Sequence, residues 1–423
     1  MYSLAPDAVY VFERALEDER SAVRIERMLG ALGRDMGSVE RVDDDDIPEM
    51  IQAESWQTAR LRQGHHSEHS DPSLVFGTLA VGRKVDTQAM VERCPEGSPA
   101  SLVYQLLGGG GSNVHQEQPN SNRVCRSRVQ FDTIYGCPHG CAYCGGGKVS
   151  VINTNVEEFV EREVIPLSEA NPWQKVFMFN SSLSDTLAFE PEYGMSRILA
   201  EYYASTPDQH YLIHTKSANV DWMRDVDHRG HTIALWSVTN DTTSRVIEPG
   251  SATTQERIAA AHICQEAGYS VRVKLKPIVP VVNWRQECEQ MVEQLLTQVT
   301  PENIGLCMVA WMPAAELESI IDADLLDQGF LEAMRESAEE MAGVLPGPFP
   351  HEVRAEIYGF YLEQIRKHDP DVPVFLCTES LDMWREFEGR LGCGAGQYAC
   401  GCGPQSPPGA RVIECIGAPV GCG

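Results

Sequence analysis

From Val129 onward the chain alternates short apolar runs with helical stretches, and this rhythm restricts its fold more than any other feature. The runs are Val129–Tyr135, Val176–Asn180, Tyr211–Thr215, Ile233–Val238, Val271–Lys276 and Ile304–Trp311. Strands that each return through a helix lie parallel, with right-handed crossovers. The pattern therefore predicts an α/β fold, a partial (β/α)6 barrel of the TIM type. Its best-marked helix is Gln255–Ala267, where Thr253 and Glu256 form a capping box and Gly268 suits the position just past the end. Functional residues should gather at the C-terminal strand ends.

Residues 1–124 read as an α+β extension, with helical spacing over Asp18–Leu32 and an apolar strand over Ser73–Val81. Gly108–Gly111 and the polar residues through Asn122 read as a linker. The barrel takes 125–320, a helical segment with the apolar run Val374–Cys377 takes 321–390, and a Gly/Cys-rich tail takes 391–423. His65, His66 and His69 are read as a solvated loop rather than a metal site. Lys and Arg number 34 against 61 Asp and Glu, a formal charge of −27. Such a surface opposes a grip on duplex phosphates, so DNA is a disfavoured partner, left only to a local basic groove. The chain has no run of about 18 apolar residues and so no expected membrane span. Its first residues turn acidic too soon for a secretory signal. The expected compartment is cytoplasmic, where the 14 cysteines serve as reduced thiols and metal ligands.

Directly after the first barrel strand comes Tyr135-Gly-Cys137-Pro-His-Gly-Cys141-Ala-Tyr-Cys144-Gly-Gly-Gly-Lys148. Three thiolates at C-x3-C-x2-C in a glycine-rich loop can hold three corners of a [4Fe–4S] cubane and leave the fourth iron open. An open iron can chelate S-adenosylmethionine and pass an electron into its sulfonium, giving a 5′-deoxyadenosyl radical that removes hydrogen atoms. A structural zinc knuckle is the competing reading, but zinc wants four ligands and C-x2-C pairs.

The chain resembles the spore photoproduct lyase family of radical S-adenosylmethionine enzymes over roughly residues 8–390. The similar stretches are Tyr10–Leu32, Leu74–Lys84, the triplet, His214–Val220, Glu248-Pro-Gly through Gly268-Tyr, Lys276–Trp284 and Val374–Ser380. The resemblance implies that Lys216 and Ser237 contact the cofactor's carboxylate, and that Ser184 and Asp185 lie where its amino group binds. It also implies a flavodoxin- or ferredoxin-type electron donor. Two positions depart from the family. A cysteine that returns a hydrogen atom is replaced by Ser182, whose O–H bond is too strong for that task. The tyrosine after the third cluster cysteine is replaced by Gly145, while Tyr143 is retained as a catalytic candidate.

The run Val271–Lys276 puts Val271, Val273 and Leu275 on one face and Arg272, Lys274 and Lys276 on the other. In a barrel the cations should face the lumen, where buried charge needs an anionic partner. Lys276 is assigned to the cofactor, with Arg272 and Lys274 as catalytic candidates toward a phosphate or carboxylate of the substrate; internal salt bridges are the alternative. Cys393, Cys400, Cys402, Cys415 and Cys422 crowd the tail, beyond the point near Arg390 where the family ends. They suggest a second iron–sulfur cluster, a zinc staple or a thiol donor, with a disordered tail of incidental cysteines as the alternative, whereas Cys264, Cys288 and Cys307 read as core residues. The expected activity is hydrogen abstraction from a small anionic or nucleotide-like substrate, of lyase or carbon-skeleton-modifying type. A DNA repair lyase acting on pyrimidine dimers and a non-catalytic iron–sulfur redox module are the alternatives.

Overall fold

The structure is a computed structural model that describes residues 4–66, 70–115, 122–181 and 183–413. His69, Ser182, Cys415 and Cys422 lie outside the described residues. The strands in chain order are β1 (Val9–Phe12), β2 (Glu40–Val42), β3 (Ser73–Gly77), β4 (Gly111–His115), β5 (Arg128–Asp132), β6 (Ile134–Tyr135) and β7 (Val149–Asn153). They continue with β8 (Val176–Phe179), β9 (His210–Thr215), β10 (Thr232–Val238), β11 (Ser270–Ile278), β12 (Ile304–Met308) and β13 (Val374–Leu376).

Two sheets result. The larger runs β13-β12-β11-β10-β9-β8-β5-β4 and contains the six expected barrel strands side by side and parallel. β13 extends it as a further parallel strand. At the other edge β4 pairs antiparallel to β5, and the sheet stays an open, partial barrel. The linker expected over 108–122 is thus corrected: Gly111–His115 is a strand. It escapes sequence patterning because an edge strand with outward polar residues has no apolar alternation.

The smaller sheet runs β2-β1-β3-β7-β6. The run expected as one strand, Val129–Tyr135, is divided between the two sheets at Thr133. There the Asn180 side chain accepts the amides of Thr133 and Ile134, at 2.7 and 3.1 Å, while Thr133 O accepts from Asn153. The backbone amides of Thr133 and Ile134 and the Thr133 carbonyl are therefore satisfied where the chain leaves the barrel. The helices follow their local signals. Asp18 caps Glu19–Ala31 by accepting from Ser21 N, and Thr253 and Glu256 make the reciprocal box that starts Thr254–Glu266. Gly268 follows that helix at φ +87°, a left-handed conformation that favours glycine.

On β11 the apolar residues pack outward and the cations form an inward ladder. Arg272, at the floor, bonds Glu302 and the carbonyls of Gly401 and Ser406. Lys274, one step up, meets Cys402 Sγ at 2.9 Å. Only Lys276, at the mouth, lines the cleft described below. Internal pairing thus accounts for Arg272, held by Glu302 and two tail carbonyls, and for Lys274, held by the tail's Cys402.

The tail folds back beneath the barrel. Pro404 O accepts from Lys175 N and Val176 N at the start of β8, and Gly409 N donates to Glu302 just before β12. Tyr398 packs on Phe375 and Trp384, with the Arg126 guanidinium over its ring. These contacts sit at strand beginnings, so the tail plugs the barrel floor. Cys400 and Cys402 are buried there with their sulfurs 3.9 Å apart, whereas Cys393 is half-buried just past the helix Leu381–Leu391. Cys264 and Cys288 are core residues as expected; Cys307 is also buried, within 3.5 Å of Thr378 Oγ1. His65 bonds Ser319. Among the described residues no helix is long and apolar enough to cross a membrane.

Candidate functional site

A cleft of about 290 Å³ opens at the C-terminal strand ends of the larger sheet. Cys137, Cys141 and Cys144 line it, together with Tyr143, Ser184, Asp185, Lys216, Ser237 and Lys276 from the sequence reading. Arg62, His139, His214 and Trp311 also line it, and sequence reasoning had not selected them.

The thiol loop is tightly built. A side chain at Gly146 would place Cβ 2.6 Å from Leu183 O, and one at Gly145 would place it 2.9 Å from Arg60 O. Gln63 N and Gly64 N donate to Cys144 O and Ala142 O, so residues 60–64 lie across the loop like a strap. This explains the departure at 145: the strap occupies the space that a tyrosine would need.

Asp185 is saturated. Oδ1 accepts from Thr215 Oγ1 at 2.7 Å and from Leu187 N; Oδ2 accepts from Lys216 N at 2.6 Å and faces His139 Nε2 at 3.1 Å. Burial alone would raise its pKa, but His139, Thr215 and the Lys216 amide hold it down to about 2. Asp185 therefore ties the thiol loop to two strand ends. The neighbouring Ser184 Oγ is buried with no hydrogen-bond partner among the described residues and lines the cleft.

Glu248, fully buried, is a further residue that sequence reasoning missed. Its carboxylate accepts from Lys216 Nζ at 2.6 Å, Arg257 Nη2 at 2.6 Å, Thr239 Oγ1 and the Tyr143 hydroxyl. Burial opposes its charge, yet Lys216 and Arg257 bring its pKa down to about 2. Lys216 is thereby fixed 3.7 Å from Cys141 Sγ, its ammonium also bonded to Tyr143 Oη. Burial pushes the Cys141 thiol up to about 12 against the pull of Lys216. Ser237 Oγ meets His214 Nε2 at 2.9 Å. Burial, Lys274 and Lys276 depress the His214 pKa to about 3, so this imidazole is neutral near pH 7.

The donor set fits an iron–sulfur cluster. Among the described residues no three His, Cys, Asp or Glu side chains converge on a single-ion site. The three loop thiols instead border one open space, as a polynuclear centre requires. The orphaned Ser184 Oγ and the fixed Lys216 ammonium offer polar contacts beside that space to an amino acid cofactor. In the tail, Cys400 and Cys402 are engaged with each other and Lys274. We expect reconstituted protein to contain about four irons per chain, measured by iron and sulfide assay, rather than the roughly eight of two clusters.

A family model described as spore photoproduct lyase matches residues 131–309. The spore photoproduct lyase of Clostridium acetobutylicum is 24% identical over 174 residues, covering 40% of this chain and 52% of that protein. That of Bacillus subtilis is 26% identical over 167 residues, covering 38% and 48%. The chain thus spans about half the length of the curated relatives it matches. A solved spore photoproduct lyase variant with bound AdoMet and dinucleoside spore photoproduct superposes with a TM-score of 0.60 at 15% identity, over 90% of this chain and 100% of that one. A spore photoproduct lyase complexed with dinucleoside spore photoproduct gives 0.59 at 16%, over 89% and 99%. The fold is therefore that of the solved spore photoproduct lyases, a partial barrel, and residues 131–309 are similar in sequence to the spore photoproduct lyase family.

Proposed function

We propose that this protein is a radical S-adenosylmethionine enzyme of lyase type that acts on a covalently joined pyrimidine pair. The observation carrying the proposal is one cleft that unites the thiol triplet, the orphaned Ser184 hydroxyl and the Lys216–Glu248 pair with an aromatic, cationic mouth at Trp311 and Lys276. Cys137, Cys141 and Cys144 would hold the [4Fe–4S] cluster, which when bound supplies the electron that splits S-adenosylmethionine. Lys216, fixed by Glu248, sets positive charge beside Cys141 and toward a cofactor carboxylate. Ser184 offers a hydrogen bond to the same cofactor, and neutral His214 orients Ser237. Asp185 keeps the loop and strand ends in register. A flavodoxin- or ferredoxin-type protein is the proposed electron source.

The relatives support a change of substrate from the one the acidic composition suggested. They are lyases, and solved neighbours hold dinucleoside spore photoproduct, so a pyrimidine lesion is the better-supported class. The test is anaerobic reconstitution with dithionite, S-adenosylmethionine and dinucleotide spore photoproduct, followed by chromatography. Restored dinucleotide and 5′-deoxyadenosine are expected when an added thiol supplies the hydrogen atom that the product radical needs, with 5′-deoxyadenosine in excess, because Ser182 cannot readily return one. If 5′-deoxyadenosine forms while the lesion stays intact, the substrate assignment fails. If none forms, the radical chemistry itself is refuted. The charge of −27 favours a second reading, a free nucleotide in place of DNA, and turnover of mononucleotides under the same assay would select it.

A further inference from the structure

Five cations at or beneath the cleft are engaged by partners of the protein's own. Arg62 pairs with Glu316 at 2.9 Å, and Lys216 and Arg257 share Glu248. Arg272 has Glu302 and two tail carbonyls, and Lys274 has Cys402. Lys276 differs from these five in having neither a carboxylate within ion-pair distance nor a hydrogen-bonded partner for its ammonium among the described residues. Its ammonium lies 5.6 Å from the Trp311 ring centroid. Cys307 and Cys377 lie below it and are hydrogen-bonded to each other, with Lys274 on the same face of the strand one step deeper.

A half-buried ammonium at the mouth of a cleft, lacking a carboxylate, is a site for an anion brought by a ligand. The accompanying wall narrows the class. Trp311 packs edge-on against Tyr143, with centroids 5.8 Å apart and planes at 78°, so its ring is held as a flat surface beside the ammonium. A planar ring next to a fixed positive charge suits a base carrying a phosphate.

We infer that Lys276 and Trp311 form a phosphate subsite for a nucleotide substrate, in which Lys276 takes the bridging phosphodiester and Trp311 flanks a pyrimidine. The subsite rests on the pyrimidine-lesion reading for the identity of its ligand. Arg272 and Lys274, committed to the floor, have no part in it.

The test compares two ligands that differ only in charge: dinucleotide spore photoproduct, with its bridging phosphate, and dinucleoside spore photoproduct, without it. Binding to reconstituted holoprotein is measured by calorimetry, and the readout is the ratio of the two affinities. Wild type should favour the phosphate-bearing ligand by about tenfold, K276M should bring the ratio near one, and K276R should restore most of it. A third arm titrates inorganic phosphate into wild type and K276M.

A wild type that binds both lesions equally overturns the inference while leaving the lesion reading intact. A wild type that binds neither lesion, yet takes inorganic phosphate only when Lys276 is present, overturns the lesion reading and retains the subsite. If K276M keeps the ratio but weakens S-adenosylmethionine, Lys276 serves the cofactor and the inference fails. If K276M changes only the alkylation rate of Cys307 and Cys377, Lys276 is their counter-ion and the inference again fails.

Discussion

Replacing Glu248 with alanine is expected to lower folding stability by about 3–5 kcal/mol and to abolish 5′-deoxyadenosine formation, because it strands two buried cations at once. Lys216 and Arg257 both depend on this carboxylate, and neither has another carboxylate in its ion pairs. Lys216 would also lose the contact that fixes it near Cys141. Glu248→Gln should be milder, since an amide still bonds Thr239 and Tyr143 but leaves the charges uncompensated.

The pH dependence gives an independent check. Glu248 titrates near 2 in the folded protein against an ordinary value of 4.5. Its contribution is therefore fully present above about 4.5 and is lost as pH falls toward 2. Urea denaturation across that window should show a shallower acid limb in Glu248→Gln than in wild type. Equal slopes would mean that the carboxylate is not the group holding these cations.

The second large effect is expected from deleting residues 392–423. Truncation removes Cys402 from Lys274, two carbonyls from Arg272 and Tyr398 from its packing on Phe375 and Trp384. It also exposes the lumen floor to water. A loss of at least about 3 kcal/mol should follow, read as a lower denaturant midpoint with an unchanged fold by circular dichroism. A truncated protein as stable as the full chain would show that the tail is an ornament on a barrel that closes itself.

Periodicity made much of this architecture legible, because it is local. The six barrel strands, the helix capped by Thr253 and Glu256, and the inward face of Arg272, Lys274 and Lys276 all followed from spacing. What spacing could not convey was non-local. Nothing around Arg272 or Lys274 announces that a segment about 130 residues later will fold beneath them and claim both. Glu248 was noticed only within a stretch shared with a family; its role depends on Tyr143, Lys216 and Arg257 arriving from three different parts of the chain. Gly111–His115 lacked an apolar face to betray it. The thiol triplet was legible because its chemistry demands close spacing in sequence, whereas Trp311 and His139 gained meaning only once the cleft existed.

The thiol loop begins and ends in one sheet, at β6 and β7, while the strands that frame its cleft belong to the other. It is thus a rivet through two plates: whatever grips its sulfurs clamps both layers together. With the proposed cluster in place, chelating its iron should then loosen the joint between the plates before either melts, and protease cuts should appear first near the strap at residues 60–64.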